Sequence, residues 1–376
     1  MRILYVNDAW AIWGGLERVV IEKMNYLADS FGFEIFTLTY NQGDHPVPYP
    51  ISKQVIFRDL NIKLFSQYRY RGLKRLYYKY KLQSLLLSRL KTGIQEIKPD
   101  VIVTPRIDLL GVLLKSSVKI PIVYESHSSC KWITFDNDGL LWRLKRYYYK
   151  TLASKSDMVV ALTKSDAMEW RKITSKVCVI PNIVNLNNTG RYSDCSSKSA
   201  IFVGRLSKQK DLEGLLQIWS IAYQHFPMWE LHIYGETGDD GVKQMLLKSV
   251  EEMNANIFIH EPTSKIIEKY IESSMLLLTS FYEPFGLVLP EAMSCGIPVV
   301  AFDCPYGPVD IITDGVDGFL IPERNIEIFS NRVCELMGSR DKRLQMGKSG
   351  IVSSKRYDAS LVMPQWKQLF NDLLCK

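Results

Sequence analysis

Arg2-Ile3-Leu4-Tyr5-Val6-Asn7-Asp8, then Gly14-Gly15, then an amphipathic stretch over 16–28, is the passage on which the fold turns. The apolar run has strand length, the glycine pair marks a turn, and the stretch behind it carries a helical pattern. Strand, glycine turn and helix open an α/β domain. Similar apolar runs recur at 34–39, 101–104, 120–125, 158–162 and 177–180, mostly separated by helical patterns. Apolar runs alternating with helices predict a parallel sheet covered on both faces. A polar stretch over 185–199, with Asn187-Asn188-Thr189-Gly190 and Asp194-Cys195-Ser196-Ser197, precedes a second series at 200–204, 230–235, 257–260, 275–279, 298–302 and 318–321. Two doubly wound Rossmann-like domains in tandem are therefore expected, over 1–186 and 187–357, with the polar stretch between them. Ligands of such folds sit beyond the carboxyl ends of the strands, which makes a cleft between the two domains the expected site.

Composition agrees with two folded domains. The chain has 376 residues, more than one growing core accommodates. Its 47% hydrophobic and 23% charged residues exclude a disordered chain. The apolar N-terminal run is too short for the core of a signal peptide, and no window reaches the ~18 apolar residues of a membrane span. A cytoplasmic protein is expected. Seven cysteines without a Cys-x-x-Cys pair predict reduced thiols rather than a disulfide framework or a zinc site. The net charge of +7 is unevenly spread: residues 1–187 hold 28 Lys and Arg against 16 Asp and Glu, so the excess lies in the first half. Different charge in the two halves points to different partners.

The most specific chemistry lies in Phe281-Tyr282-Glu283-Pro284-Phe285-Gly286-Leu287-Val288-Leu289-Pro290-Glu291-Ala292-Met293-Ser294-Cys295-Gly296-Ile297-Pro298-Val299-Val300. Glu283 falls in a turn after a strand, Gly286 where backbone approaches a ligand, and a helix starts near Pro290. The amides of Phe285, Gly286 and Leu287 then face outward beside a helix start, as a phosphate requires. Glu291 in the first turn can accept from a vicinal diol such as a ribose, and Glu283 can reach a hexose hydroxyl. Two acceptors with phosphate-binding amides between them describe a nucleotide sugar.

This segment resembles the Glu-x7-Glu signature of glycosyltransferase family 4, retaining enzymes of the GT-B superfamily, and matching features extend from Gly14-Gly15 to the C-terminus. The resemblance implies that Arg205 and Lys210, in Gly204-Arg205-Leu206-Ser207-Lys208-Gln209-Lys210, clamp the donor diphosphate. It implies that Gly14, Gly15 and Glu17 form a loop closing over diphosphate and acceptor. It further places His127, in Tyr124-Glu125-Ser126-His127, beside the donor sugar, and Glu261-Pro262 where backbone groups bind the base. Residues 358–376 are expected to form a last helix crossing back to the first domain, with Trp366 packed there. No metal is obligatory in such enzymes. Asp136-Asn137-Asp138 has the metal-binding spelling of the other large glycosyltransferase architecture, but without its surrounding fold it is read as chance. No Walker loop, Gly-x-Ser-x-Gly elbow or HExxH string is present.

Residues 68–91 hold eight basic residues, five tyrosines and no acid, and 142–150 repeat the pattern. Cations with interfacial aromatics predict docking on an anionic leaflet at the inner face of the membrane; no nucleic-acid module is recognisable. The expected activity is transfer of a hexose or N-acetylhexosamine from a nucleotide diphosphate sugar, UDP favoured, to a glycan or polyprenyl-linked glycan in cell-surface polysaccharide assembly. Two alternatives stand beside it: an NDP-sugar 2-epimerase of the same architecture, and a non-catalytic protein that binds sugar nucleotides or glycans.

Overall fold

A computed structural model of the chain describes residues 1–116, 119–131, 139–236 and 240–375. It divides into two compact units, Met1–Ile183 with Ala359–Lys376, and Val184–Asp358. Unit 1 runs β1 (Arg2–Val6), α1 (Gly15–Asp29), β2 (Glu34–Thr39), β3 (Val55–Asp59), α2 (Gly72–Ile97), β4 (Val101–Thr104), α3 (Leu110–Ser116), β5 (Ile122–Ser126), α4 (Leu140–Ser154), β6 (Met158–Ala161), α5 (Lys164–Arg171) and β7 (Val177–Val179). Unit 2 runs β8 (Ser199–Val203), α6 (Leu212–His225), β9 (Glu230–Tyr234), α7 (Asp240–Met253), β10 (Ile257–His260), α8 (Ile266–Ile271), β11 (Met275–Leu278), α9 (Val288–Ser294), β12 (Val299–Phe302), α10 (Gly307–Ile311), β13 (Gly318–Ile321), α11 (Ile326–Gly338) and α12 (Arg340–Ser354). The last helix, α13 (Ala359–Leu374), belongs to unit 1 and packs on α1.

Both sheets are parallel throughout, in the orders β3-β2-β1-β4-β5-β6-β7 and β10-β9-β8-β11-β12-β13. The doubly wound expectation is met in each. Strands such as Val101-Ile102-Val103-Thr104 and Met275-Leu276-Leu277-Leu278 are buried at every residue, as helices on both faces require. The connections diverge to opposite sides between β1 and β4 in one sheet and between β8 and β11 in the other, a topological switch point in each.

The structure departs from the sequence expectation in two places. An edge strand, β3, follows the proline-rich 46–50 stretch, with Ile56 and Phe57 exposed. The polar 185–199 stretch is not a free connection; it lies on unit 2, where the Ser193 hydroxyl donates to Ser273 O at 2.6 Å and the Asn187 amide to Ser294 Oγ at 3.0 Å. Burying Ser193 and Cys195 there gives this stretch the backbone and hydroxyl partners its composition needs.

Candidate active site

In unit 2 the loops leaving β8 and β11 are stitched together by Gln209. Its carbonyl accepts from the Phe281 amide at 2.8 Å, and its side-chain nitrogen donates to Tyr282 O at 2.9 Å. Across this seam Lys210 Nζ lies 2.5 Å from Glu283 Oε2, with side chains only 12% and 11% exposed. The Ser280 hydroxyl donates to the same carboxylate oxygen at 3.1 Å. The cation expected on a phosphate and the carboxylate expected on a sugar hydroxyl are thus set against each other. Gly204, at the end of β8, makes room for this: a Cβ there would sit 3.2 Å from Lys210 Cε.

The chain then turns through Gly286 at φ +90°, a region L side chains resist, and a Cβ at this position would also lie 3.0 Å from Glu283 Cγ. The backbone N–H groups of Phe285, Gly286 and Leu287 donate to no acceptor among the described residues before α9 begins. Phe285 is itself buried, edge-on to Tyr357 at 5.3 Å. Glu291 sits in the first turn of α9, buried, its Oε2 accepting from the Tyr270 hydroxyl at 3.3 Å. Arg205 is exposed and pairs with no described residue. Glu261 and Pro262 are exposed after β10, the edge strand two places from β8, where His260 stacks on Tyr234 at 4.4 Å.

In unit 1 Gly14 caps α1 in extended backbone without a side-chain bond, Gly15 is exposed, and Glu17 is buried in the first turn. His127 does not face solvent: its side chain is 5% exposed and Nε2 lies 3.1 Å from Glu125 Oε1, out of line for a hydrogen bond. The same Glu125 oxygen bonds the ammonium of Lys23, a lysine fully buried in α1. Burial pushes the Glu125 carboxyl up, but Lys23 and then His127 outweigh it and hold the group down at about 2. Burial in turn lowers Lys23 below the ordinary lysine range, with Glu125 opposing. Asp166 of α5 spans the loop's base, accepting from the Cys130 amide at 2.6 Å and the Ser126 hydroxyl at 3.2 Å. Burial raises Asp166 to about 6, against those hydrogen bonds.

Sequence reasoning passed over several of these residues. At the β1/β4 divergence Arg106 forms a bidentate pair with Asp108, 3.0 Å on each arm, and stands 3.6 Å from Asp8. Isolated charges just past strand ends were the available signal, but only the strand order makes them neighbours. Lys23, Tyr270 and Arg324 left no local signal, because their partners are remote in the chain. Asp136 and Asp138 lie outside the described residues; among the described ones no three His, Cys, Asp or Glu side chains gather as a metal site would need.

Solved proteins share the fold over nearly the whole chain. A mutant of S. aureus TarM, in complex with fondaparinux, alpha-GlcNAc-glycerol and UDP, superposes with a TM-score of 0.78 at 15% identity, over 98% of this chain and 99% of its own. Anabaena HepE, in complex with UDP and glucose, does so at 0.76 and 19%, over 99% and 100%. Two Rossmann-like parallel-sheet domains of this kind define the GT-B architecture, and family matches over both of them make the chain a glycosyltransferase. It belongs to family 4: residues 13–188 match Glycosyltransferase Family 4, and residues 191–352 match Glycosyl transferases group 1. Among relatives, the amylovoran biosynthesis glycosyltransferase AmsD of Erwinia amylovora is 26% identical over 385 residues, covering 98% of this chain and 99% of AmsD.

Proposed function

We propose that the chain is a retaining hexosyltransferase that moves a hexose or N-acetylhexosamine from a UDP-sugar to a glycan or lipid-linked glycan in cell-surface polysaccharide assembly. The observation that carries this is the Lys210–Glu283 pair at the β8/β11 divergence. A bound donor would redistribute that pair, its diphosphate taking the Lys210 ammonium and a sugar hydroxyl donating to Glu283. Arg205 supplies a second cation to the diphosphate, and the Phe285, Gly286 and Leu287 amides supply neutral donors to it. Glu291, steadied by Tyr270, accepts from ribose hydroxyls, and the backbone of Glu261 and Pro262 meets the base. As the bond from the anomeric carbon to the diphosphate breaks, its electron pair stays on the diphosphate, where Arg205 and Lys210 meet the growing charge. The departing phosphate oxygen takes the acceptor proton, and the new bond forms on the face just vacated. No obligatory metal is assigned to this step. Gly14, Gly15 and Glu17 are assigned to the loop over diphosphate and acceptor, and His127 to the donor sugar. UDP in the TarM and HepE complexes, and the part AmsD plays in amylovoran biosynthesis, support the choice of donor and setting.

The acceptor surface is assigned to unit 1, peripheral to an anionic membrane at its cytoplasmic face. Support comes from two helices exposed at their N-terminal ends: α2 presents Leu73, Leu76, Tyr77 and Tyr80, and α4 presents Leu140, Leu141, Leu144 and Tyr147. Lys74, Arg75, Lys79 and Lys81 on α2, and Arg143 and Lys145 on α4, are exposed with them. Apolar stripes flanked by cations suit the interface of an anionic bilayer. No described helix is long and apolar enough to cross one. Incubation with a panel of UDP- and GDP-sugars, with and without undecaprenyl-linked glycans, tests the proposal. Nucleotide release with none of them would sink it, and an absolute requirement for manganese would overturn the metal-free step.

A further inference from the structure

At the end of β13 the chain makes a tight turn in which Glu323 and Arg324 both take φ +52°, left-handed backbone that non-glycine residues adopt only when surroundings impose it. Asn325 follows at once as the cap of α11, accepting from the Ile328 amide at 2.9 Å. The turn sends the Arg324 side chain to the carboxyl ends of the strands. Its guanidinium carbon lies 4.0 Å from the Phe281 ring centre and 4.4 Å from that of Phe302. From there Nη1 donates to Ser280 O at 2.9 Å, Nη2 donates to Thr279 O at 3.1 Å, and Nη2 also pairs with the Asp211 carboxylate.

Each partner adjoins the donor end. Asp211 follows Lys210 directly, caps α6 through the Gly214 amide at 3.1 Å, and is itself left-handed at φ +49°. Thr279 returns a hydrogen bond from its hydroxyl to Lys210 O at 2.8 Å, and Ser280 is the residue whose hydroxyl reaches Glu283. One planar cation therefore joins the segment carrying Lys210 to the segment carrying Glu283. A guanidinium satisfies acceptors on separate edges while its faces rest on rings; an ammonium has no such plane.

We propose that Arg324 is a positioning residue for the transfer step, holding Lys210 and Glu283 in register with the leaving diphosphate; this rests on the donor assignment made above. Because the charge that Lys210 meets increases as the bond breaks, loss of register lowers kcat more than it raises the donor KM. Arg324→Ala is expected to reduce kcat at least about tenfold with donor KM within about threefold, the scale of a misplaced but intact reactive group. Methylguanidinium should restore part of that kcat, and should restore nothing to Lys210→Ala. Should Arg324→Ala fail to fold, Arg324→Lys keeps the charge and is expected to show the same kcat loss with an unchanged melting temperature. Parent-like kcat in whichever variant folds, beside a crippled Lys210→Ala, overturns the positioning role and leaves the donor assignment standing. Absence of methylguanidinium rescue in a folded Arg324→Ala also overturns it. Parent-like turnover in Lys210→Ala overturns the donor assignment itself.

Discussion

The Lys23 ammonium lies 4.0 Å from the Trp366 ring centre while bonded to Glu125, so the last helix and the His127 loop share one buried cation. Glu125, held at about 2 against an ordinary 4.5, stabilises the fold while ionised. That contribution is complete above about pH 4.5 and is lost as pH falls toward 2. Lys23→Met would strand a buried carboxylate, at a cost of about 3–5 kcal/mol. Thermal melts at pH 7 should show that loss, and adding Glu125→Gln to Lys23→Met should recover part of it. A single variant as stable as the parent would mean that the pair contributes nothing to the fold.

For the donor end, Glu283→Ala should cost turnover on the order of a hundredfold, the scale of one lost transition-state contact. Because Lys210 and Glu283 touch, their effects on stability should not add. The double variant Lys210→Met with Glu283→Gln is expected to melt above Lys210→Met alone, since the single change leaves a nearly buried carboxylate without its cation. Additive melting shifts would show that the two groups do not sense one another in solution.

Arg205 offers a cleaner separation of binding from folding. It is exposed and has no described partner, so Arg205→Ala should leave the melting temperature within about 2 °C of the parent. UDP affinity, read by calorimetry on the same sample, should nevertheless weaken. Unchanged affinity would remove this residue from the diphosphate site.

Changing Lys74, Arg75, Lys79 and Lys81 to glutamate reverses the charge of the exposed half of α2 without touching unit 2. Cosedimentation with phosphatidylglycerol vesicles should fall sharply, and parent binding should itself weaken as salt shortens the screening length to about 8 Å near physiological strength. Leu73→Ser with Leu76→Ser probes the apolar stripe separately. Sedimentation of the reversed variant at the parent level would refute the membrane assignment.

Much of the architecture was legible because both sheets are built from central strands buried on each face. Val101–Thr104 stands in the structure at the bounds its apolar run implies, and Met275–Leu278 ends one residue short of them. β3 escaped notice because an edge strand keeps one side wet, and Ile56 and Phe57 break the buried pattern after three prolines. At the candidate site, residue type was legible and partnership was not. Nothing local says that Lys210 and Glu283, 73 positions apart, occupy one another, or that Arg324 reaches Asp211 across 113. Such pairings follow from strand order, which no short motif encodes.

Unit 1 takes its first strand and its last helix from opposite ends of the described chain, whereas unit 2 is one unbroken stretch. On the ribosome this separates their histories. Unit 2 has every element it needs once residue 358 has emerged. Unit 1, although its sheet is translated first, must wait with Lys23 uncovered until Trp366 leaves the exit tunnel. The unit begun first is the one completed last.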